Sequence, residues 1–123
     1  MSYSTDQEEF WAGDFGNQYI DRNQDESAVG RNLSLFAEGL RHAGPIRSVV
    51  ELGCNIGLNL SAMRVLLPEA AICGLEINSR AAELAKKRIP SAVIRTGSLL
   101  EPSKLINCDL VVVKGVLIHI APD

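Results

Sequence analysis

The sequence has no block of basic residues, no paired cysteines and no long apolar run. Against 12 lysines and arginines stand 15 aspartates and glutamates, so a net charge of -3 does not favour nucleic-acid or anionic-membrane binding. The three cysteines form no C-x-x-C pair, which argues against a disulfide framework or a zinc site. The N-terminus is polar, and every apolar stretch is far shorter than the ~20 residues of a membrane span. These absences predict a cytoplasmic protein with reduced thiols and no metal, membrane or nucleic-acid partner.

With 123 residues and 46% hydrophobic side chains, the chain is long enough for one globular domain. A T-x-x-E capping box at Thr5 predicts a short helix over 6–12. Glycines and turn-forming residues over 13–25 predict an ordered loop or a broken helix. Apolar residues spaced four, three and four apart then predict an amphipathic helix over 26–43.

From residue 47 onward, short apolar runs alternate with helical patterns. Strands are predicted over 47–52, 71–75, 92–95 and 110–113, and helices over 58–67 and 78–89, the second capped by Asn78. This alternation predicts an α/β fold, namely a Rossmann-like, doubly wound and mostly parallel sheet of about four strands. We therefore expect an N-terminal cap or lid with two helices over 1–44, and a Rossmann-like domain over 45–123.

The sequence ends a few residues after the fourth predicted strand. That strand should be central in a doubly wound sheet, and a free edge at 110–113 would promote aggregation. We therefore expect either a fragment of a longer protein, truncated after strand four, or a half-sheet that a second copy completes. Completion would take the form of a homodimer or a domain swap.

An acidic residue and two glycines follow the first predicted strand in the stretch VVELGCNIGLNL. Ligands of doubly wound sheets bind beyond the carboxyl ends of the strands, where Glu51, Gly53 and Gly57 fall. Position 55 is Asn, so the middle glycine of G-x-G-x-x-G is missing, which argues against a nicotinamide dinucleotide. Glu76 lies 25 residues after Glu51, at the end of the second strand, where it can accept hydrogen bonds from ribose hydroxyls. The alternative is structural, with glycines serving the turn and Glu76 a solvated strand end.

The series ELGCNIG, GLEIN, TGSLLEP and CDLVVVKGVLIHI, within residues 47–120, resembles the motifs of class I S-adenosylmethionine-dependent methyltransferases. The resemblance implies S-adenosylmethionine as the cofactor. The residues it implies are Glu51, Gly53, Cys54, Asn55 and Gly57 for the methionine part, Glu76 for the ribose, and Ile77 beside the adenine. Where the family commonly has an acidic residue against the adenine amine, after strand three, this sequence has Gly97, Ser98 and Leu99.

Residues 113–116 would pass beside the donor in such a protein. Lys114 is included among the candidate cofactor contacts because a lysine is unusual at the end of an apolar strand; the alternative is a snorkelling side chain. His119 is the candidate catalytic base, since imidazole titrates near neutrality. The alternative for His119 is a structural histidine on the next helix.

The N-terminal stretch EEFWAGDFGNQYIDRN, with ELGCNIGLNL and KGVLIHI, is similar to the methyltransferases associated with pseudaminic acid biosynthesis. That similarity implies a sugar or sugar-nucleotide acceptor. Trp11, Phe15 and Tyr19 are candidates for a lid over the cofactor or substrate, and Tyr19 is the stronger candidate for a site residue. Core packing is the alternative for Trp11 and Phe15.

The sequence therefore predicts an S-adenosylmethionine-dependent methyltransferase that acts on an oxygen or nitrogen of a small molecule. Displacement at a sulfonium methyl needs mainly in-line positioning and a deprotonated nucleophile, so few catalytic side chains are required. Two alternatives are a non-catalytic or truncated cofactor-binding or assembly module, and an NAD-dependent oxidoreductase.

Overall fold

The computed structural model describes residues 3, 5–22, 27–98 and 107–114. The predicted sites Leu99 and His119 lie outside these residues. The described helices are α1 (Asp6–Ala12), α2 (Asp14–Arg22), α3 (Ser27–Gly39), α4 (Leu58–Leu66) and α5 (Ser79–Arg88). The described strands are β1 (Ser48–Leu52), β2 (Ala71–Glu76), β3 (Val93–Thr96) and β4 (Leu110–Val112). The chain thus has the predicted α/β composition, with helices alternating with short strands.

The four strands form one parallel sheet in the order β3-β2-β1-β4. The register sets Glu51 opposite Gly74 on one side and opposite Val112 on the other. At the opposite end of the sheet, the Asp109 carboxylate accepts the Arg47 N–H at 2.7 Å and the Asp109 N–H donates to the Ser48 hydroxyl at 2.9 Å. The strand order reverses between β1 and β4, which confirms the predicted Rossmann-like topology and defines a switch point there.

The core lies between one face of the sheet and the helices α4 and α5. Strand side chains two positions apart share a face, and the buried cluster joins these strand residues to the apolar sides of both helices. Its members are Val49, Cys54, Leu60, Met63, Ala70, Ile72, Ala82, Ala85, Ile89, Ile94 and Val112. Phe36 of α3 packs against it, as does Leu40, which directly follows α3. On the other face, the register row that runs through Val50 ends at Val93 and Val111, which are 51% and 46% exposed.

Within the described chain, β4 pairs with β1 and stands at one edge of the sheet. An apolar groove of about 370 Å³ runs beside this edge. Its lining includes Leu35 and Phe36 of α3, Met63 of α4 and Val112 of β4. No described helix is long and apolar enough to cross a membrane.

Both predicted helix caps are present. The Thr5 hydroxyl accepts the Glu8 N–H at 3.2 Å, and the Asn78 side-chain oxygen accepts the Ala81 N–H at 3.0 Å. The predicted bounds of most elements agree with the structure to within two residues, but α3 ends four residues earlier than the pattern predicted.

In the described part of the chain three helices precede the sheet instead of the predicted two, because the segment predicted as a loop or broken helix forms α2. Only Gly13 separates α2 from α1, so the broken helix is the better of the two alternatives. For Tyr19, which belongs to this segment, the loop alternative is wrong, since Tyr19 lies within α2. The buried Ile20 explains the difference, because α2 is anchored through this side chain to a small cluster with Ile56 and Ala81.

Gly74 has no room for a side chain in the middle of β2. A Cβ atom there would lie 2.8 Å from the Cys54 sulfur, 2.9 Å from Leu60 Cδ1 and 3.0 Å from Ile94 Cδ1. We therefore expect Gly74→Ala to lower the free energy of unfolding by about 1–3 kcal/mol, because these side chains must shift within a packed core. Urea denaturation measures the change.

Gly30→Ala is the matched control, because nothing lies within 4 Å of a Cβ at that position of α3. Alanine replaces glycine in an exposed helix there and should stabilise the chain by about 0.5–1 kcal/mol. Equal unfolding free energies for the two variants would contradict the packing described around Gly74.

Candidate functional site

The loop between β1 and α4 contains three residues with left-handed backbone. Gly53, Asn55 and Gly57 have φ angles of 76°, 51° and 88°. Asparagine is one of the few residues with a Cβ that adopts this region readily. Asn55 therefore provides the loop conformation at the position where the dinucleotide motif has its middle glycine, and adds a side chain there. The sequence prediction recognised the missing glycine but not the conformation that Asn55 adopts.

The loop is fixed to the end of β2 through backbone contacts. The N–H groups of Gly53 and Cys54 both donate to the carbonyl of Leu75, at 2.8 and 3.1 Å. At the start of α4, a Cβ at Gly57 would lie 3.3 Å from Ala85 Cβ, so the loop also packs closely against α5. The loop is thus held in position by both neighbouring elements.

Glu76 connects the loop to the start of α5. One of its carboxylate oxygens accepts the Asn55 N–H at 2.9 Å, and the other accepts the Asn78 N–H at 2.8 Å. Burial raises the pKa of Glu76, while hydrogen bonds from the backbone of Asn78, Asn55 and Ile77 oppose this rise. The predicted ribose acceptor is therefore also a structural member of the loop, and the alternative of a solvated strand end does not describe it, because both of its oxygens hold backbone N–H groups. The remaining lone pairs of its two oxygens are suited to further donors.

Glu51 is 1% exposed and sits in β1 beside this loop. One oxygen accepts the side-chain N–H of Asn59 in α4 at 2.6 Å, while the other has no hydrogen-bond partner among the described residues. The pKa of Glu51 is raised to about 8, mainly by burial. The Asn59 hydrogen bond and the positive charge of Lys114 oppose this rise, while the negative charge of Glu76 adds to it. A buried acceptor without a partner is rare in proteins and calls for a ligand or a water molecule.

Lys114 follows β4, on the other side of the switch point from β2. Lys114 is exposed, and its positive charge, at the end of the neighbouring strand, lowers the pKa of Glu51. The prediction that Lys114 lies near the same site as Glu51 agrees with this placement.

Cys54 differs from its predicted role. Its side chain is 3% exposed, belongs to the core cluster and lies against Gly74. Burial raises the pKa of its thiol, with Glu51 and Glu76 adding to the rise. The thiol therefore contributes to packing, and it also donates a hydrogen bond to the Asn55 carbonyl within the loop, at 3.7 Å.

The N-terminal helices are tied to the loop region by Asn78, which is 3% exposed. Its side-chain nitrogen donates to the carbonyl of Trp11 at 3.0 Å and to the side-chain oxygen of Asn17 at 3.0 Å. The Arg80 guanidinium adds a contact to the Asn17 carbonyl at 3.2 Å. The N-terminal segment thus lies over the C-terminal end of the sheet, where the candidate site is.

The aromatic residues of α1 and α2 pack on one another. The rings of Phe10 and Phe15 stack at 4.2 Å, and the Trp11 ring meets those of Phe15 and Tyr19 edge-on at 5.2 Å each. Phe10 is 50% exposed. This aromatic cluster gives the N-terminal helices a shared apolar contact and includes all three residues proposed from sequence as a lid.

Most predicted cofactor contacts therefore meet at the C-terminal ends of the strands. Those brought together there are Glu51, Gly53, Asn55, Gly57, Glu76, Ile77 and Lys114. Ser98 follows β3, where its hydroxyl donates to the carboxylate of Glu8. The sequence prediction did not include Asn59 or Glu8. It also did not include the contacts of Asn78 to the N-terminal helices. An asparagine eight positions after Glu51, in the first turn of α4, was the one available indication of the Asn59 contact.

No protein-family model matches this chain. No curated protein sequence matches it. The comparison with solved structures gives matches of low sequence identity. The magnesium protoporphyrin IX methyltransferase of Synechocystis PCC 6803, with bound S-adenosylmethionine, is 16% identical and has a TM-score of 0.68. The match covers 98% of this chain and 67% of that protein.

The plantazolicin methyltransferase BpumL, in complex with S-adenosylhomocysteine, is 18% identical with a TM-score of 0.63, over 87% of this chain and 44% of its own. A structure from echinomycin biosynthesis, concerning conversion of a disulfide into a thioacetal, is 21% identical with a TM-score of 0.56, over 72% and 38%. This chain spans less than half the length of the plantazolicin methyltransferases that it matches. At these identities the likeness establishes the fold, and a shared fold does not fix an activity.

Proposed function

We propose that this chain binds S-adenosylmethionine and forms the donor-binding part of a methyltransferase. The observation that carries the proposal is the buried Glu51 oxygen without a described partner, beside a glycine loop at the sheet's switch point. Two carboxyl groups, those of Glu51 and Glu76, lie at this end of the sheet. In their charged form they would repel the pyrophosphate of a nicotinamide dinucleotide, and a ligand that carries positive charge would favour that form. S-adenosylmethionine carries an ammonium and a sulfonium.

The residue roles follow from the chemistry of each group. Glu51 would accept a hydrogen bond from the ligand ammonium, and its charge would then be stabilised by this partner. Glu76 would accept from the ribose hydroxyls while holding the Asn55 N–H. Ile77 would contact the base, and Lys114 would pair with the ligand carboxylate. The backbone of residues 53–57 would allow close approach of the methionine part.

S-adenosylmethionine supplies an electrophilic methyl group on its sulfonium. The chain's contribution would then be to hold the ligand, exclude water and orient an acceptor in line with the methyl group. We propose an oxygen or nitrogen of a small molecule as the acceptor, with His119 as the base that removes its proton. The similarity to methyltransferases of pseudaminic acid biosynthesis favours a sugar or sugar nucleotide. The similar structures are named for other substrates, plantazolicin and magnesium protoporphyrin IX.

A second candidate function is a donor-binding module without its own acceptor site. The observation that favours it is the length covered, since this chain spans 39–44% of the first plantazolicin methyltransferases that it matches. Such a module would be completed by further chain or by a second copy beside β4. Methyl transfer by the 123-residue chain itself distinguishes this function from the first.

Calorimetric titration with S-adenosylhomocysteine tests the proposal. We expect saturable binding of one ligand per chain, and no binding of NADH at the same concentrations. A labelled-donor assay against sugar nucleotides, small acids and peptides then tests methyl transfer. Absence of S-adenosylhomocysteine binding by a chain that unfolds cooperatively would refute the donor site, and NADH binding would support an oxidoreductase.

A further inference from the structure

Glu51 is held by a neutral donor from outside its own strand. The side-chain Nδ2 of Asn59, in the first turn of α4, donates to Glu51 Oε2 at 2.6 Å. The other oxygen, Oε1, is buried and has no hydrogen-bond partner among the described residues. The two oxygens of this carboxyl group therefore have different surroundings, and the Asn59 amide is the cause of the difference.

The position of Asn59 is fixed by its neighbours in α4. The helix begins after Gly57, whose left-handed backbone, with a φ of 88°, ends the loop. The Gly57 carbonyl accepts the Ser61 N–H at 2.8 Å, which closes the first helical turn. The next residue after Asn59, Leu60, is 0% exposed and belongs to the core cluster. The backbone of Asn59 is thus held on both sides, so its short side chain meets Glu51 in a defined place.

The titratable groups around Glu51 lie on other elements. The Glu76 carboxyl at the end of β2 raises the pKa of Glu51, and the Lys114 cation after β4 lowers it. The Cys54 thiol, in the loop, has its own pKa raised by both carboxyl groups. The hydrogen bond from Asn59 opposes the effect of burial more strongly than Lys114 does. As a neutral donor, Asn59 favours the carboxylate without adding a positive charge that would compete with a cationic ligand.

We propose that Asn59 is a positioning residue of the donor site, which holds Glu51 Oε2 and thereby leaves Oε1 to the ligand ammonium. The inference rests on the proposed function and extends it to a residue that acts through Glu51. In the protonated, ligand-free carboxyl group, Oε2 accepts the Asn59 N–H, so Oε1 carries the proton. When the ammonium reaches Oε1, this proton leaves to solvent and an ammonium N–H donates in its place. Asn59 keeps its hydrogen bond throughout, and the bond is stronger to the charged form.

Asn59→Leu tests the inference, because leucine has a similar size and no donor. Calorimetry with S-adenosylhomocysteine at pH 7, 8 and 9 compares the variant with the unmodified chain. Without the donor, the ligand-free carboxyl group of Glu51 holds its proton more tightly, and binding must still remove that proton. The variant should bind at least about tenfold more weakly at pH 7, and this factor should shrink at least about threefold by pH 9. In buffers of different ionisation enthalpy, the variant should release about half a proton more than the unmodified chain at pH 9.

Ser61→Ala is the matched control, because it removes a half-buried polar side chain from the same helix and should leave the affinity unchanged at every pH. Asn59→Ala also lacks the donor and should repeat the pH-dependent loss, so the test does not depend on how leucine fits. If Asn59 only shapes the helix, both Asn59 variants will lose the same factor at every pH and release as many protons as the unmodified chain. This result overturns the inference and leaves the donor site intact. If the unmodified chain does not bind S-adenosylhomocysteine, the proposed function fails and the inference fails with it.

Discussion

Glu76→Ala is expected to weaken S-adenosylhomocysteine binding at least tenfold, or ~1.4 kcal/mol. Two losses add up in this variant. The ligand loses the acceptor proposed for its ribose hydroxyls, and the N–H groups of Asn55 and Asn78 lose the carboxylate that holds them at 2.9 and 2.8 Å. Hydrogen bonds to a charged group contribute about 1.5–3 kcal/mol each, so the glycine loop should also lose its preformed shape.

Calorimetry on the folded variant measures this effect, and two further variants separate its causes. Glu69→Ala removes an exposed glutamate at the opposite end of β2 and should leave the affinity unchanged. Glu76→Gln keeps one carbonyl acceptor, and we expect an affinity between those of the alanine variant and the unmodified chain. Unchanged affinity in a folded Glu76→Ala chain would show that the site has been assigned to the wrong residue.

The affinity for S-adenosylhomocysteine should rise with pH because of Glu51. Without ligand the pKa of this carboxyl is raised by burial to about 8, so the group is mostly protonated at pH 6. A ligand ammonium beside it favours the carboxylate, and binding must therefore release a proton. The affinity should increase by up to about tenfold per pH unit below pH 8 and level off above it.

Titrations at pH 6, 7 and 8, in buffers of different ionisation enthalpy, measure both the affinity and the protons released. We expect about one proton to be released near pH 7. Glu51→Gln should bind with little dependence on pH and should be much weaker than the unmodified chain at pH 8. Proton uptake on binding, or the same pH slope in the glutamine variant, would exclude Glu51 as the ammonium partner.

Glu51 also makes the stability of the chain depend on pH, in the direction opposite to that of the ligand affinity. Between the ordinary pKa of 4.5 and the folded value of about 8, the folded chain binds more protons than the unfolded chain. The free energy of unfolding of the ligand-free chain should therefore fall as the pH rises through this window, by an amount on the order of 2–5 kcal/mol. Glu51→Gln removes this contribution, so urea denaturation at several pH values checks it independently of any ligand.

The sequence was sufficient to predict the sheet and the polar residues at the C-terminal ends of its strands. Buried parallel strands are continuous apolar runs, and the residues that end them, such as Glu51 and Glu76, are therefore easy to locate. Left-handed backbone at Gly53 and Gly57 is likewise a local property that glycine indicates. These parts of the site depend on a few neighbouring residues, so a local pattern identifies them.

The contacts that complete the site were not predictable in this way. Asn59 reaches Glu51 only because α4 folds back over β1, and Ser98 meets Glu8 across 90 positions. Cys54 turns its thiol into the core because Gly74 leaves space opposite it. Such contacts arise from packing between elements, which periodicity and propensity do not encode.

Asn78 makes the N-terminal helices and the proposed nucleoside site parts of one equilibrium. Its oxygen caps α5, its nitrogen holds α1 and α2, and its N–H binds Glu76. Coupling free energies between two sites are reciprocal. If ligand binding strengthens the attachment of the N-terminal helices, then attached helices must strengthen ligand binding. The two gains in free energy are equal. Residues of α1 and α2 would thus contribute to the affinity for the proposed ligand.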